Sequence, residues 1–272
     1  MTQYDHIGAQ YEQANEQFYK FLEGKLMENA LRPEIADRPG LKLLEFAAGT
    51  GFYTSRALAW SAPDTSLTSM DISRAMLDVT AGNNATAVSS GRLRLLLADG
   101  AHPRSYAPDD HSEEYFDGAF GGWFLNYAEG RETLRSMFDN IALNLRPGGF
   151  FVGVVPYPEE DLAARGRACK EPPLRDIYPF LDFTRPLEDG SGWWFTCHVD
   201  ETLSFETAHH RRSVFEEVAR EAGFSEMEWS PANLPREEFI SRGAVVKNDL
   251  SPEVYKAYAD VGILAVIKVY KK

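Results

Sequence analysis

The chain has 272 residues, 44% hydrophobic and 25% charged, which is enough for a substantial core and ordinary for a globular protein. A formal net charge of −13, with no basic cluster larger than His209-His210-Arg211-Arg212, excludes the electrostatic footprint of a nucleic-acid binder. The cysteines Cys169 and Cys197 lack C-x-x-C spacing, the N-terminus has no apolar signal core, and no apolar run approaches ~18 residues, so a cytoplasmic protein without disulfides or a membrane partner is expected.

Tyr11 to about Leu31 reads as an amphipathic helix, with Tyr11, Phe18, Phe21 or Leu22, Leu26 and Ala30 recurring at steps of three and four. Such a helix can pack on a sheet or close over a ligand. Arg38-Pro39-Gly40 then breaks the chain. Leu43-Leu44-Glu45-Phe46-Ala47-Ala48-Gly49-Thr50-Gly51 follows as a short buried strand and a turn of small residues, leading into a helix from about Tyr53 to Trp60. Ala47, Ala48, Gly49 and Gly51 remove bulk where backbone must approach a ligand. The first N–H groups of the helix favour a carboxylate or phosphate.

The second strand, Ser66 to Met70, ends at Asp71, where a nucleotide-binding βαβ unit places an acid for ribose hydroxyls. The pattern points to an adenosine-containing cofactor. A dinucleotide fingerprint needs a third glycine where Thr54 stands, and a P-loop needs Gly-Lys-Ser/Thr where Phe52-Tyr53 follow Gly51. No Lys or Arg stands nearby to meet a pyrophosphate. These absences, with Glu45 at the start of the turn, favour a cofactor with an amino-acid tail. A purely structural βα turn is the rival for this stretch.

Ser73 suits the cap of a helix from Arg74 to about Thr80, which Gly82-Asn83-Asn84 weakens or ends. Ile72 and Met76 are expected at an adenine pocket, although Met76 suits the core equally well. A third strand, Arg92 to Ala98, ends at Asp99-Gly100, an acid for the adenine amine followed by an N–H for a ring nitrogen, with a capping or turn Asp as the rival. The fourth, Phe116 to Phe120, runs into Gly121-Gly122-Trp123-Phe124-Leu125-Asn126-Tyr127. Gly121 and its neighbour open the backbone for an amino group, and Trp123, Asn126 and Tyr127 are candidates for a wall between cofactor and substrate. A core position is the rival for Trp123.

The helix from about Glu129 to Leu145 carries one apolar stripe and is ended by Pro147-Gly148-Gly149; the fifth strand is Phe150 to Val155. Residues 156–200 break the alternation with prolines and aromatic residues, Trp194 among them, as a binding insertion would. A strand is expected over Glu201 to Ala208, a helix over Ser213 to Ala222 capped by Gly223, and a strand over Phe224 to Trp229. A helical stretch over Arg236 to Asp260 and a closing strand over Ile263 to Tyr270 complete the chain.

Taken together, these residues resemble the class I S-adenosylmethionine-dependent methyltransferases. Glu45-Phe46-Ala47-Ala48-Gly49-Thr50-Gly51 is similar to their motif I, and Met70-Asp71-Ile72-Ser73, Asp99-Gly100, Phe116-Asp117-Gly118-Ala119-Phe120 and Leu145-Arg146-Pro147-Gly148-Gly149 follow in register. The opening Tyr4-Asp5-His6-Ile7-Gly8-Ala9-Gln10-Tyr11-Glu12 and Trp123-Phe124-Leu125-Asn126-Tyr127 resemble the small-molecule, toxoflavin-synthase-like branch. The likeness covers residues 1–155 and, more loosely, 205–272. It implies an α/β, Rossmann-like methyltransferase sheet, mostly parallel with an antiparallel last strand. It also implies one domain over 1–272 with an N-terminal lid (1–40) and a substrate-recognition insertion (156–212). The cofactor it implies is S-adenosylmethionine, with Tyr4 and Tyr11 presenting hydroxyls to its methionine end and Glu45, the turn from Ala47 through Thr50 to Gly51, Asp71, Ile72, Met76, Asp99, Gly100 and Gly121 around the rest. A small methyl acceptor would meet Trp123, Asn126, Tyr127 and Trp194.

Methyl transfer from a sulfonium is an in-line displacement that needs the nucleophile ~3–3.5 Å from the methyl and water excluded. A phenol or N–H acid also benefits from a base near neutral pKa, for which His209 and His210 are the candidates, a structural role being the rival for each. No residue spacing suggests a metal site. The expected activity is N- or O-methylation of a small aromatic or heterocyclic metabolite. The alternatives are an S-adenosylmethionine-binding regulator, scaffold or cyclase without net transfer, and a dehydrogenase.

Overall fold

A strand covered on both faces has no face to give to water, and β1 (Lys42–Phe46) accordingly buries Leu43, Leu44, Glu45 and Phe46. It is followed by β2 (Ser66–Asp71), β3 (Leu93–Leu97), β4 (Phe116–Gly122) and β5 (Leu145–Pro156). Then come β6 (Phe180–Pro186), β7 (Gly192–His198), β8 (Ser204–His210), β9 (Glu228–Pro231) and β10 (Leu264–Tyr270). A computed structural model of the chain, which describes residues 18–108, 113–176, 179–232 and 251–272, arranges seven of these in the order β3-β2-β1-β4-β5-β10-β9. The first five in that order are parallel to their neighbours, and β10 runs antiparallel to both β5 and β9. This is the expected Rossmann-like sheet with its antiparallel strand.

Period two along β1 divides the molecule. Leu44 and Phe46 face one core, shared with Leu134, Phe138 and Ile141 of α5 (Arg131–Asn144) and Phe215 and Val218 of α7 (Arg212–Glu221). Leu43 faces the other, shared with Leu22, Met27, Leu31 and Ile35 of α1 (Phe18–Ile35) and Tyr53 and Ala57 of α2 (Phe52–Trp60). The sequence stopped α1 near Leu31, ahead of Pro33. Burial of Leu31 and Ile35 carries it one turn further despite Pro33, whose missing N–H leaves the Asn29 carbonyl without its helical partner. Residues 11–17, and with them the start expected for this helix, lie outside the described residues.

Between β2 and β3 the expected helix runs on to Asn83 as α3 (Arg74–Asn83), and after Asn84 a short helix that was not expected follows, α4 (Ala85–Ser89). Ser73 caps α3 by accepting from Met76 N, as expected. Pro147-Gly148-Gly149 is not a loop before β5 but part of it. The strand begins at Leu145, opposite Phe116, and slips register before Gly118 pairs with Phe150. Gly148 N and Gly149 O bond to Lys271, so the last residues of the chain hold this irregularity. Strand character at Phe224–Trp229 is confined to β9, with one bridge from Phe224 to Lys271. Of the helix expected over 236–260, α8 (Pro252–Val261) is described and 236–250 lie outside the described residues.

The insertion has its own structure. After α6 (Leu162–Cys169), strands β6, β7 and β8 form an antiparallel sheet around a small core of Leu162, Cys169, Phe183, Phe195 and Cys197. Among the described residues no helix is long and apolar enough to cross a membrane.

Candidate functional site

Strand order reverses between β1 and β4, and their C-terminal ends diverge into a cleft of about 500 Å³. Its floor is the turn after β1, where Ala47 (φ 54°), Gly49 (57°) and Gly51 (88°) take left-handed backbone that larger side chains tolerate poorly. Ala47, Ala48, Gly49 and Thr50 border the cleft, while Gly51 stands behind them as the N-cap of α2.

Asp71 borders the cleft and also anchors its floor. Its Oδ2 accepts from Gly49 N at 2.8 Å and its Oδ1 from Ser73 N at 2.9 Å, so one carboxylate ties the turn after β1 to the turn after β2. Glu45 does not border the cleft. It lies beneath the turn, 1% exposed, accepting from Thr54 Oγ1 at 2.6 Å and Ser69 Oγ at 2.5 Å. Burial pushes its carboxyl up to about 7 against the pull of these two hydroxyls. Glu45 joins β1, β2 and α2 from inside the protein.

The opposite rim carries Ile72, Met76, Asp99 and Gly100, all bordering the cleft as expected. Asp99 Oδ1 caps its own turn through Ala101 N. A Cβ on Gly100 would lie 2.6 Å from Phe124 Cε2, so the glycine makes room for a ring that stacks on Phe46 at 4.8 Å between centroids. Of the glycines ending β4, Gly122 borders the cleft rather than Gly121, which packs against the Phe46 backbone. The missing Cβ of Gly122 would sit 2.5 Å from Tyr53 Cε2.

A second, narrower pocket lies beyond Trp123 and is walled by β8, β7, α6 and the turn after β4. Its aromatic and polar wall follows from strand period: Phe195 and Cys197 on β7 and Phe205, Thr207 and His209 on β8 share one face. Trp194 and His210 therefore point to the other face. Trp194 meets the Arg185 guanidinium there at 5.3 Å from the ring centroid. His210 is buried with Nε2 2.9 Å from Ala128 O and Nδ1 3.2 Å from Ser191 Oγ, and it borders neither space. Adjacent residues of one strand cannot both face a pocket, so the expectation for the histidine pair reduces to His209. Its Nε2 donates to Tyr157 O at 2.8 Å, which leaves Nδ1 as the basic nitrogen; burial holds its pKa well below the usual histidine value.

Trp123, Asn126 and Tyr127 all border this inner pocket, and Trp123 and Tyr127 border the cleft as well. Trp123 has φ 61°, rare for so large a residue, and is held by Trp123 N to Val154 O at 3.0 Å and by Nε1 to Glu23 Oε2 at 2.8 Å. Glu23 also accepts from Lys20 Nζ at 2.9 Å and from the Tyr53 hydroxyl. Sequence reading missed this cluster. Lys20, Glu23 and Met27 are spaced at three and four, one face of α1, and a charged pair in an otherwise apolar stripe was the available signal. Tyr4 and Tyr11 lie outside the described residues. Among the described residues no group of His, Cys, Asp and Glu could hold a metal ion.

No family model matches the chain, and no curated protein matches it at a significant level. Solved structures do. An S-adenosylmethionine-dependent methyltransferase from Mesorhizobium loti aligns over 92% of this chain and 100% of its own, with a TM-score of 0.57 at 15% identity. Geranyl diphosphate C-methyltransferase from Streptomyces coelicolor A3(2), in complex with Mg2+, geranyl diphosphate and S-adenosyl-L-homocysteine, aligns over 93% of this chain and 79% of its own, with a TM-score of 0.59 at 12% identity. The [4+2]-cyclase SpnF aligns over 89% and 78%, with a TM-score of 0.54 at 17% identity. The mostly parallel seven-stranded sheet and these likenesses agree: the chain has the fold of the class I S-adenosylmethionine-dependent methyltransferases.

Proposed function

We propose that the protein holds S-adenosylmethionine in the cleft and methylates a nitrogen or oxygen of a small aromatic or heterocyclic molecule in the inner pocket. One observation carries this reading: Lys20, Trp123 and Tyr127 border both spaces, so ligands in the two would meet across a shared wall. The cleft's chemistry suits the cofactor. A carboxylate offers about four lone-pair sites, so Asp71 can take ribose hydroxyls beside the turn amides it already anchors. Ile72, Met76 and Met137 offer apolar surface to an adenine, with Asp99 at its edge. Among the described residues Lys20 is the only cation bordering the cleft, and it is paired with Glu23, so no pyrophosphate partner is at hand and a nicotinamide dinucleotide is disfavoured.

When bound, the cofactor supplies a methyl group made electrophilic by its sulfonium. Trp123, locked by Glu23, and Tyr127 then orient the two ligands, and the apolar walls of the inner pocket exclude water. An O–H or N–H acceptor must also lose a proton. Neutral His209 offers Nδ1 for it, but a pKa held so low makes a weak base, so proximity and desolvation supply the larger share of the rate.

Calorimetry with S-adenosylhomocysteine, together with incubation of methyl-labelled cofactor and a panel of phenols and N-heterocycles, tests this. No heat with the nucleoside overturns the reading. Binding without transfer across the panel moves it to a regulator, scaffold or cyclase, an outcome the likeness to SpnF keeps in view.

A further inference from the structure

Buried polar atoms without partners are uncommon in folded proteins, and where they gather they call for a ligand. Among the described residues three buried side-chain N/O atoms without a hydrogen-bond partner, Arg165 Nε, Thr207 Oγ1 and Asn126 Oδ1, belong to residues lining the inner pocket. Their residues are 4%, 1% and 2% exposed.

The charge arrangement there is unusual for this chain. Despite a net charge of −13, the pocket is lined by Lys20 and Arg165 and by no Asp or Glu among the described residues. Lys20 is paired with Glu23, whereas Arg165 spends Nη1 and Nη2 on the carbonyls of Val261 and Gly262 and has no carboxylate within ion-pair distance among the described residues. Its guanidinium stands 5.6 Å from the Tyr157 ring centroid and 6.0 Å from that of Phe183, and Glu159 acts on it from beyond ion-pair distance, so the buried charge is only partly compensated. Arg165 is also not among the residues shared with the cleft, so it marks the part of the pocket away from the point of transfer.

We propose that the acceptor is a flat, mostly apolar carboxylate whose anionic end seats on Arg165, with the Thr207 hydroxyl beside it. The inference rests on the methyltransferase reading and names the substrate class for it. In the transfer the acceptor's lone pair forms the new bond to carbon, the carbon–sulfur pair stays on sulfur, and the acceptor's proton passes to His209. Arg165 takes no proton; its positive charge neutralises the acid, and its unpaired Nε–H is the donor left to fix the ring's direction.

The test uses the full-length protein saturated with S-adenosylhomocysteine. Heats of binding are compared for 4-hydroxybenzoate, 4-coumarate and indole-3-carboxylate, each against its primary amide, which has the same shape without the charge. Carboxylates are expected to bind roughly tenfold or more tightly than the amides. Arg165→Met should erase that preference, and Arg165→Lys should restore part of it. Both variants should keep wild-type affinity for S-adenosylhomocysteine, because Arg165 does not border the cleft. If Arg165→Met fails to fold through loss of its carbonyl contacts, the wild-type acid–amide comparison and Thr207→Val, expected to weaken the acids, still decide. Equal affinity for acid and amide, preference for the amide, or no binding by any of the six overturns this proposal. Absence of S-adenosylhomocysteine binding overturns the methyltransferase reading instead, so the two failures are distinguishable.

Discussion

Asp71 holds two positions at once, and replacing it with alanine should show both. Its carboxylate accepts from Gly49 N at 2.8 Å and Ser73 N at 2.9 Å. Hydrogen bonds to a charged group contribute about 1.5–3 kcal/mol each, and the half-buried Gly49 amide regains some water, so Asp71→Ala should cost about 2–4 kcal/mol of stability. A domain with about 5–15 kcal/mol in hand still folds. Loss of the ribose contact should weaken S-adenosylhomocysteine by at least about tenfold. Urea denaturation with and without nucleoside reads both effects. At a hundred times its Kd the nucleoside should add about 2.7 kcal/mol to the wild type, and at that same concentration only about 1.4 kcal/mol to a variant with tenfold weaker affinity. Asp71→Asn keeps one acceptor oxygen but turns an N–H donor toward the other amide, and it should fall between the two. Wild-type affinity in Asp71→Ala would remove the ribose assignment. Wild-type stability in the apo protein would remove the tether.

Other expectations concern single residues. Glu45 has a folded pKa of about 7, above its unfolded value, so its contribution is full below the unfolded pKa and is lost as pH rises through about 7. The loss is on the order of 3 kcal/mol; Glu45→Gln should flatten the decline in denaturation midpoint over that window, and an unchanged profile would show that Glu45 does not titrate there. His209→Ala should lower kcat for acceptors with a titrating proton, whereas His210→Phe, which strips the donor from Ala128 O, should cost about 1–3 kcal/mol of stability with little effect on kcat/KM. Equal kinetic losses in both would contradict the strand-parity assignment. Gly122→Ala places a methyl 2.5 Å from Tyr53 Cε2, and overpacking of this kind costs about 1–3 kcal/mol. Because Gly122 and Tyr53 border the cleft, and Tyr53 bonds Glu23, which in turn holds Trp123, both nucleoside Kd and acceptor KM should rise; an unchanged nucleoside Kd by calorimetry would contradict the placement of the cofactor in the cleft.

How far local signals reach is clearest in the sheet. Each of β1, β2, β3, β4 and β5 carries its own apolar run and turn chemistry, and such signals depend only on residues a few positions apart. Ala47, Gly49 and Gly51 announce a left-handed backbone that larger side chains adopt at a cost, and Asp71 stands at a strand end where the βαβ geometry puts it beside that turn. Glu45 shows the limit of this reasoning. Its position in the motif marks it as important, but whether it faces the ligand or the interior depends on the pleat of β1 and on Thr54 and Ser69 arriving from α2 and β2.

The amino-acid sequence alone thus determined the parallel sheet, the bend that opens the cleft and the carboxylate at its rim, because each is written in neighbouring residues. Tertiary structure decided which side of a strand each residue serves and which distant segments meet. Period two along β8 put His209 into the pocket and turned His210 away from it. Helix α1 had to pack across the sheet before Glu23 could reach Trp123, one hundred residues later in the chain. The inner pocket was illegible beforehand for the same reason: Arg165, Thr207 and Asn126, each with an unpaired polar atom, come from three separate elements, and only the folded chain brings the three residues around one space.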